Sequence, residues 1–160
     1  ALWAALAEGA IDTVATDHCP FDVSQKRMGE RSFVEIPNGI GGIEERVNLL
    51  YTHGVSRGRL DLQRFVDAAS TRAAKLFGLF PRKGTIAVGC DADIVVYDPT
   101  YRGTLSAATQ QSRNDYNGLE GMAIEGRPSL VTVRGCVQVR DGQFVGERTR
   151  GRFLRRTPNA

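Results

Sequence analysis

The sequence predicts an α/β chain in which helices and one buried strand come first and a β-rich part follows. Three observations carry this. Ile11 to Thr16 is rich in β-branched residues with little polar alternation, as a strand buried on both faces reads. Apolar residues recur at helical spacing on either side of it, at Leu2, Ala5 and Leu6 before and between Ile43 and Phe77 after. From Gly84 the periodicity changes to short strand-like runs.

The first helix should end at Gly9, where a left-handed residue is easy for glycine and costly for others. After the strand, Asp17 stands at its C-terminal end. In a barrel of alternating strands and helices that rim carries the active site, because the loops that reach substrate leave from it. An Asp in this place can also simply cap the next turn. The loop from Asp17 to Gly42 is too long for a plain connector, and such loops are usually functional. Within it Asp22 to Glu35, with Lys26, Arg27, Glu30 and Arg31, reads as a solvent-facing excursion. Pro37-Asn38-Gly39 fixes one backbone angle and tolerates positive φ, so its peptide groups can turn towards a ligand. It also reads as a plain turn before a helix.

That helix spans Ile43 to His53, with Ile43, Val47, Leu50 and Tyr51 on one stripe, Glu44 and Glu45 in its first turn and a stop at Gly54. His53, in the last turn, suits the helix dipole or solvent better than a metal. Asp61 can cap a second helix with Leu62, Phe65, Val66 and Ala69 inward, and Ser70 or Thr71 a third holding Ala73, Ala74 and Phe77 before Gly78. Arg72 reads as a member of a surface ion pair. Beyond Gly84, Ile86, Val88 and Ile94 to Tyr97 are strand-like, broken by Gly89, Cys90-Asp91 and Asp98-Pro99. Leu130 to Val139 with Phe144-Val145 across Asp141-Gly142 reads as a hairpin. The polar stretch Thr104 to Met122 reads as a structural crossover.

The net charge of +3 comes mostly from a tail in which Arg148, Arg150, Arg152, Arg155 and Arg156 are offset only by Glu147. The tail has no nucleic-acid module and no aromatic besides Phe153, so a solvated or subunit-contacting role is expected and nucleic acid is not a partner. Three distant cysteines, odd in number and without a CxxC pair, fit a reducing compartment. No run reaches membrane-spanning length, and Ala1-Leu2-Trp3 lacks the basic flank of a signal peptide. The expectation is an internal segment of a cytoplasmic protein with no membrane partner.

Asp17-His18-Cys19-Pro20-Phe21, followed by Ile36-Pro37-Asn38-Gly39-Ile40-Gly41-Gly42-Ile43-Glu44-Glu45-Arg46, resembles the cyclic amidohydrolases that include dihydropyrimidinases and D-hydantoinases. The likeness continues through Ala69 to Lys75, Gly84-Thr85-Ile86, Gly89 to Val96, Asp115-Tyr116-Asn117 and Glu120-Gly121-Met122. It implies the C-terminal part of a (β/α)8 TIM-like amidohydrolase barrel, beginning at the helix before the last barrel strand, plus part of a flanking β-sandwich domain. Residues 1–80 would belong to the barrel, 81–147 to the sandwich with its crossover at 104–122, and 148–160 to the basic tail.

The same resemblance implies hydrolysis of dihydropyrimidines or hydantoins by a homotetramer with two Zn2+ ions. Opening a cyclic amide near neutral pH needs a strong nucleophile, and a divalent metal supplies one by lowering the pKa of water to about 7. A neighbouring carboxylate can carry the proton to the leaving nitrogen. By resemblance Asp17 is that carboxylate and also a metal ligand, while Asn38 contacts the ring amide of the substrate mainly through its backbone. The other ligands, four histidines and a carboxylated lysine, would lie upstream, since the chain has only His18 and His53 and no His-x-His. Relatives carry histidines and a methionine where this chain has Gln110-Gln111-Ser112-Arg113. His18 and Cys19 lack the spacings of a structural zinc site, and no base can be placed with Cys19 as a nucleophile. Dihydroorotase and allantoinase are near alternatives, although their motif resembles Asp-His followed by Ala or Ser. The collapsin-response mediator proteins are a non-catalytic alternative, but they lack the acid found here at Asp17.

Overall fold

The computed structural model describes residues 1–147 and 151–156; part of the basic tail, including Arg148 and Arg150, lies outside the described residues. Helix α1 (Leu2–Ala7) ends as its sequence suggests. Gly9 has φ 83°, and the amides of Gly9 and Ala10 bond back to Leu6 and Ala5 carbonyls at 3.3 and 2.9 Å, satisfying groups that a helix end leaves over.

Ile11–Thr16 does not form the expected strand. It joins no sheet among the described residues, because an element with two apolar faces needs partners on both edges. Arginines satisfy two of its carbonyls instead: Arg46 Nη1 donates to Val14 O at 3.0 Å, and Arg64 Nη2 donates to Ile11 O. Arg72 stands 3.3 Å from Asp12, the ion pair that its sequence context suggests. One flank of the segment opens on an apolar hollow of about 600 Å3 lined also by Leu2, Leu6 and Leu49.

The long loop contains one turn of helix, α2 (Val23–Lys26), and two short 3-10 turns at Arg27–Gly29 and Phe33–Glu35. Helix α3 (Arg46–Leu50) then continues in π geometry over Tyr51–Val55. Gly54 therefore does not stop the helix. It is buried, and a Cβ there would lie 2.8 Å from Leu60 and 3.2 Å from the Trp3 ring, so close packing explains the glycine.

Asp61 caps α4 (Leu62–Val66), accepting from the Arg64 amide at 2.6 Å. The run continues through a π stretch, Asp67–Thr71, into α5 (Arg72–Leu76), so neither Ser70 nor Thr71 starts a new helix. Thr71 Oγ1 instead donates to Gly84 O at 2.7 Å. Phe65 and Ala68 are buried, whereas Leu62, Val66 and Phe77, expected inward, are 56%, 52% and 54% exposed. Ile43 is likewise exposed. Helical spacing identified apolar faces, and each is covered only in part among the described residues.

Four antiparallel strands form one sheet in the order β1 (Val95–Thr104), β2 (Ala123–Val133), β3 (Cys136–Arg140), β4 (Gln143–Phe144). Ile86 and Val88 are exposed and lie outside it, so regular β structure starts later than the change in periodicity. Asp98-Pro99 does not break β1. The ladder shifts register between Asp98 and Arg102, and an irregular edge strand tolerates proline. Leu130–Val139 is split by a turn at Arg134 (φ 48°) and Gly135 (φ 76°), which matches the expected one at Asp141 (φ 50°) and Gly142 (φ 82°). Two successive positive φ values suit the twist of tight hairpins.

The core joins both parts. Leu6, Leu50, Leu60, Phe65 and Ala68 are buried together with Tyr51, whose ring meets those of Phe65 and Tyr97 at 5.7 and 4.6 Å. Thr52 pins the helix to the sheet: its Oγ1 accepts from the Glu125 amide at 2.9 Å and donates to Asn48 O at 2.7 Å. Among the described residues no helix is long and apolar enough to cross a membrane.

Candidate functional site

Asp17 sits where the extended segment breaks. Its φ of 48° lies in the left-handed region, which Asp tolerates better than most side chains, and the residue is exposed. The next two residues tie this break to the far end of the loop. His18 Nδ1 accepts from the amides of Gly42 and Ile43 at 3.1 and 3.3 Å, which places the proton of the neutral ring on Nε2. Cys19 N donates to Ile40 O at 3.1 Å.

These bonds bring the Asn38 turn beside the Asp17 segment. Gly39 has φ 132° and packs so closely on Cys19 that a Cβ would stand 2.4 Å from the Cys19 carbonyl oxygen. Asn38 itself is exposed, and neither its backbone N–H and C=O nor its side chain has a hydrogen-bond partner among the described residues. The Asp17 carboxylate is equally unpartnered there.

Lys26 is not the solvent-facing residue that its sequence context suggests. It is half-buried, with Nζ donating to Pro37 O at 2.5 Å and Gly39 O at 2.6 Å and lying 5.0 Å from the centre of the Phe21 ring. The signal that could have found it is Asp22-Val23-Ser24-Gln25. Asp22 N donates to Gln25 Oε1 at 2.8 Å, half of a capping box, and the helical turn it starts carries Lys26 back over the loop.

Glu44 and Glu45 precede the first helical turn rather than occupying it. Glu44 accepts from the amides of Gln111 and Ser112 at 3.0 and 2.5 Å; Glu45, 5% exposed, accepts from Gln110 Nε2 and Asn117 Nδ2 at 2.6 and 2.8 Å. The acids dock the crossover onto the site instead of serving the helix dipole. Asp115 extends this docking by accepting from Val23 N at 2.8 Å. Glu120 is held in the same stretch, where the Ser106 hydroxyl and then the Ala107 amide keep its carboxyl below the ordinary range.

His53 lines the apolar hollow rather than the Asp17 side, and that hollow includes neither Asp17 nor Asn38. Among the described residues no three His, Cys, Asp or Glu side chains converge as a metal site would need. Asp17 fits the chemistry of a single metal ligand, an exposed carboxylate with free lone pairs, and does not make a site by itself.

The model of a protein family described as the amidohydrolase family matches residues 1–137. The chain belongs to the amidohydrolase family. It is similar to the D-hydantoinase of Geobacillus stearothermophilus, 51% identical over 156 residues, 97% of this chain and 33% of the relative. It is also similar to the dihydropyrimidinase of Rattus norvegicus, 43% identical over 155 residues, 97% of this chain and 30% of the relative. Among solved structures, a D-hydantoinase (dihydropyrimidinase) from Thermus sp. superposes with TM-score 0.95 at 73% identity, covering 98% of this chain and 34% of that one. A dihydropyrimidinase from Brevibacillus agri gives TM-score 0.96 at 50% identity, with 99% and 35% covered. The amidohydrolase chain thus spans about a third of the length of these relatives.

Proposed function

We propose that this amidohydrolase chain is the C-terminal part of a longer enzyme that hydrolyses cyclic amide bonds in dihydropyrimidines or hydantoins. One observation carries the reading: hydrogen bonds of residues 18–19 to residues 40–43 hold an unpartnered Asp17 carboxylate and the unpartnered N–H and C=O of Asn38 on one stitched loop. A ring amide presents a donor and an acceptor side by side, which the Asn38 N–H and C=O complement. The names of the similar proteins support the same reaction class.

In this reading Asn38 orients the ring through its backbone. Asp17 takes a proton from the attacking water and passes it to the ring nitrogen as the C–N bond breaks. A divalent metal, two zinc ions by the family likeness, activates water when bound. Asp17 is the ligand this chain offers, and histidines and a carboxylated lysine from the preceding sequence would supply the rest.

Residues 1–80 complete a (β/α)8 barrel, with Ile11–Thr16 paired to strands from the preceding sequence, and β1–β4 form part of a flanking β-sandwich. The uncovered Leu62, Val66 and Phe77 support this, since a barrel wall would cover them. We place the enzyme in the cytoplasm as a homotetramer without nucleic-acid or membrane partners. Cys19-Pro20-Phe21 disfavours dihydroorotase and allantoinase, and Asp17 disfavours a non-catalytic binding protein of the collapsin-response mediator type.

The test is turnover of dihydrouracil and hydantoin by the whole metal-loaded protein, followed by loss of ring absorbance. Hydrolysis of either supports the reading, and inertness towards all cyclic amides overturns it.

A further inference from the structure

We infer that Lys26 is a positioning residue for the Asn38 turn, and so for the ring amide seated there; this rests on the function proposed above. Its ammonium donates to the carbonyls of Pro37 and Gly39, the two residues that flank Asn38. A trans peptide is planar, with its C=O and N–H pointing in opposite directions. Holding Pro37 O against Lys26 therefore turns the Asn38 N–H away from the lysine. Holding Gly39 O fixes the peptide plane two bonds further on, and the Asn38 carbonyl is suspended between two anchored planes. The lysine occupies the neighbouring acceptors and leaves those of Asn38 free for a ligand.

The lysine is itself anchored. Its ammonium stands 5.0 Å from the centre of the Phe21 ring, and the helical turn that carries it is tied to the crossover through Val23 N and Asp115 Oδ1. A compact ammonium suits two carbonyls that converge on one point; the planar guanidinium of arginine would force them apart. Lys26 touches no reacting atom, so its effect should be on how well the ring is held.

The experiment compares wild type, Lys26→Met and Lys26→Arg in the whole metal-loaded protein. Methionine keeps the length of the stem without donors. For Lys26→Met, KM for hydantoin should rise at least about tenfold, the equivalent of one lost charge-assisted hydrogen bond, while kcat falls less and metal content stays at the wild-type level. Lys26→Arg should lie between. A second readout needs no turnover: deamidation of Asn38 requires the Gly39 nitrogen to swing onto the Asn38 side-chain carbonyl with loss of ammonia, and a released turn should do this several-fold faster. Wild-type KM and deamidation rate in Lys26→Met would overturn the inference while leaving the proposed function standing. A wild type that hydrolyses no cyclic amide would remove the function, and the deamidation rates would still decide whether Lys26 holds the turn. Should Lys26→Met fail to fold, Lys26→Gln is judged by the same two criteria.

Discussion

Replacing Gly39 by valine perturbs the tight approach of the Asn38 turn to Cys19. At φ 132° the backbone is in a region that residues with a Cβ almost never adopt, and holding one there costs about 1–3 kcal/mol. The new Cβ would meet Cys19 at 2.4 Å from its carbonyl oxygen, 2.8 Å from its Cβ and 3.0 Å from its Sγ. The oxygen and Cβ belong to or adjoin the main chain, so relief must come from moving the turn. That movement sacrifices the bond from Cys19 N to Ile40 O, about 1 kcal/mol more. Together the strain is about 2–4 kcal/mol. If it is released by displacing Asn38, kcat/KM of the whole enzyme falls about 30- to 1,000-fold. Asn38→Ala should do less, because a backbone contact survives loss of the side chain. Steady-state kinetics on hydantoin and dihydrouracil, with metal content and thermal unfolding of the same samples, measure this. Unchanged kinetics in Gly39→Val would mean that Pro37-Asn38-Gly39 is only a turn.

Other consequences concern stability and assembly. Asp61→Ala should destabilise by about 1 kcal/mol through loss of the cap on α4, read from the urea midpoint; an unmoved midpoint would deny the cap its role. Tyr97 has a buried hydroxyl without a hydrogen-bond partner among the described residues, and burial pushes its pKa up. Tyr97→Phe should therefore be neutral or stabilising, and a loss beyond about 1 kcal/mol would reveal a partner. Lys83 bonds Asp91 and Asp93; its hydrogen bond lowers the Asp91 pKa from 3.8, and although burial opposes its own charge, the two acids raise Lys83 above 10.5. The Asp91 contribution is present above its unfolded pKa and fades as pH falls below it, while that of Lys83 is present below its unfolded pKa and fades as pH rises past it. Lys83→Met should flatten both limbs of stability against pH, and an unaltered acid limb would contradict the pairing. Produced alone, residues 1–160 should self-associate through the exposed Leu62, Val66 and Phe77 and neither hold two divalent metals nor hydrolyse hydantoin; a soluble monomer that did both would refute the proposed division of the site.

What could be read from the sequence was what local chemistry decides. Gly9 as a helix end, Asp61 as a cap and Asp141-Gly142 as a tight turn each depend on a few neighbouring residues, and each is found where expected. The failures share a different cause. Ile11–Thr16 has the composition of a strand, but pairing is non-local, and the described residues hold no partner for it. Gly54 suits a helix stop by its backbone freedom, and only the fold brings Leu60 and Trp3 close enough to require a glycine there. Glu44 and Glu45 suited a helix dipole until the crossover supplied amides for them. Lys26 shows the same limit within the candidate site: its partners lie in another part of the loop, and nothing in a run of charged residues distinguishes a clamp from a solvated face.

The central claim is that Asp17 carries the proton in a hydrolysis supported by metal. Asp17→Asn in the whole protein keeps the size and the left-handed backbone tolerance of the residue while removing its charge and basicity. The measurement is turnover of hydantoin and dihydrouracil alongside metal content by elemental analysis and the thermal unfolding of the same sample. The expected result is a folded protein with nearly all turnover lost on both substrates; turnover at the wild-type level would remove Asp17 from the mechanism.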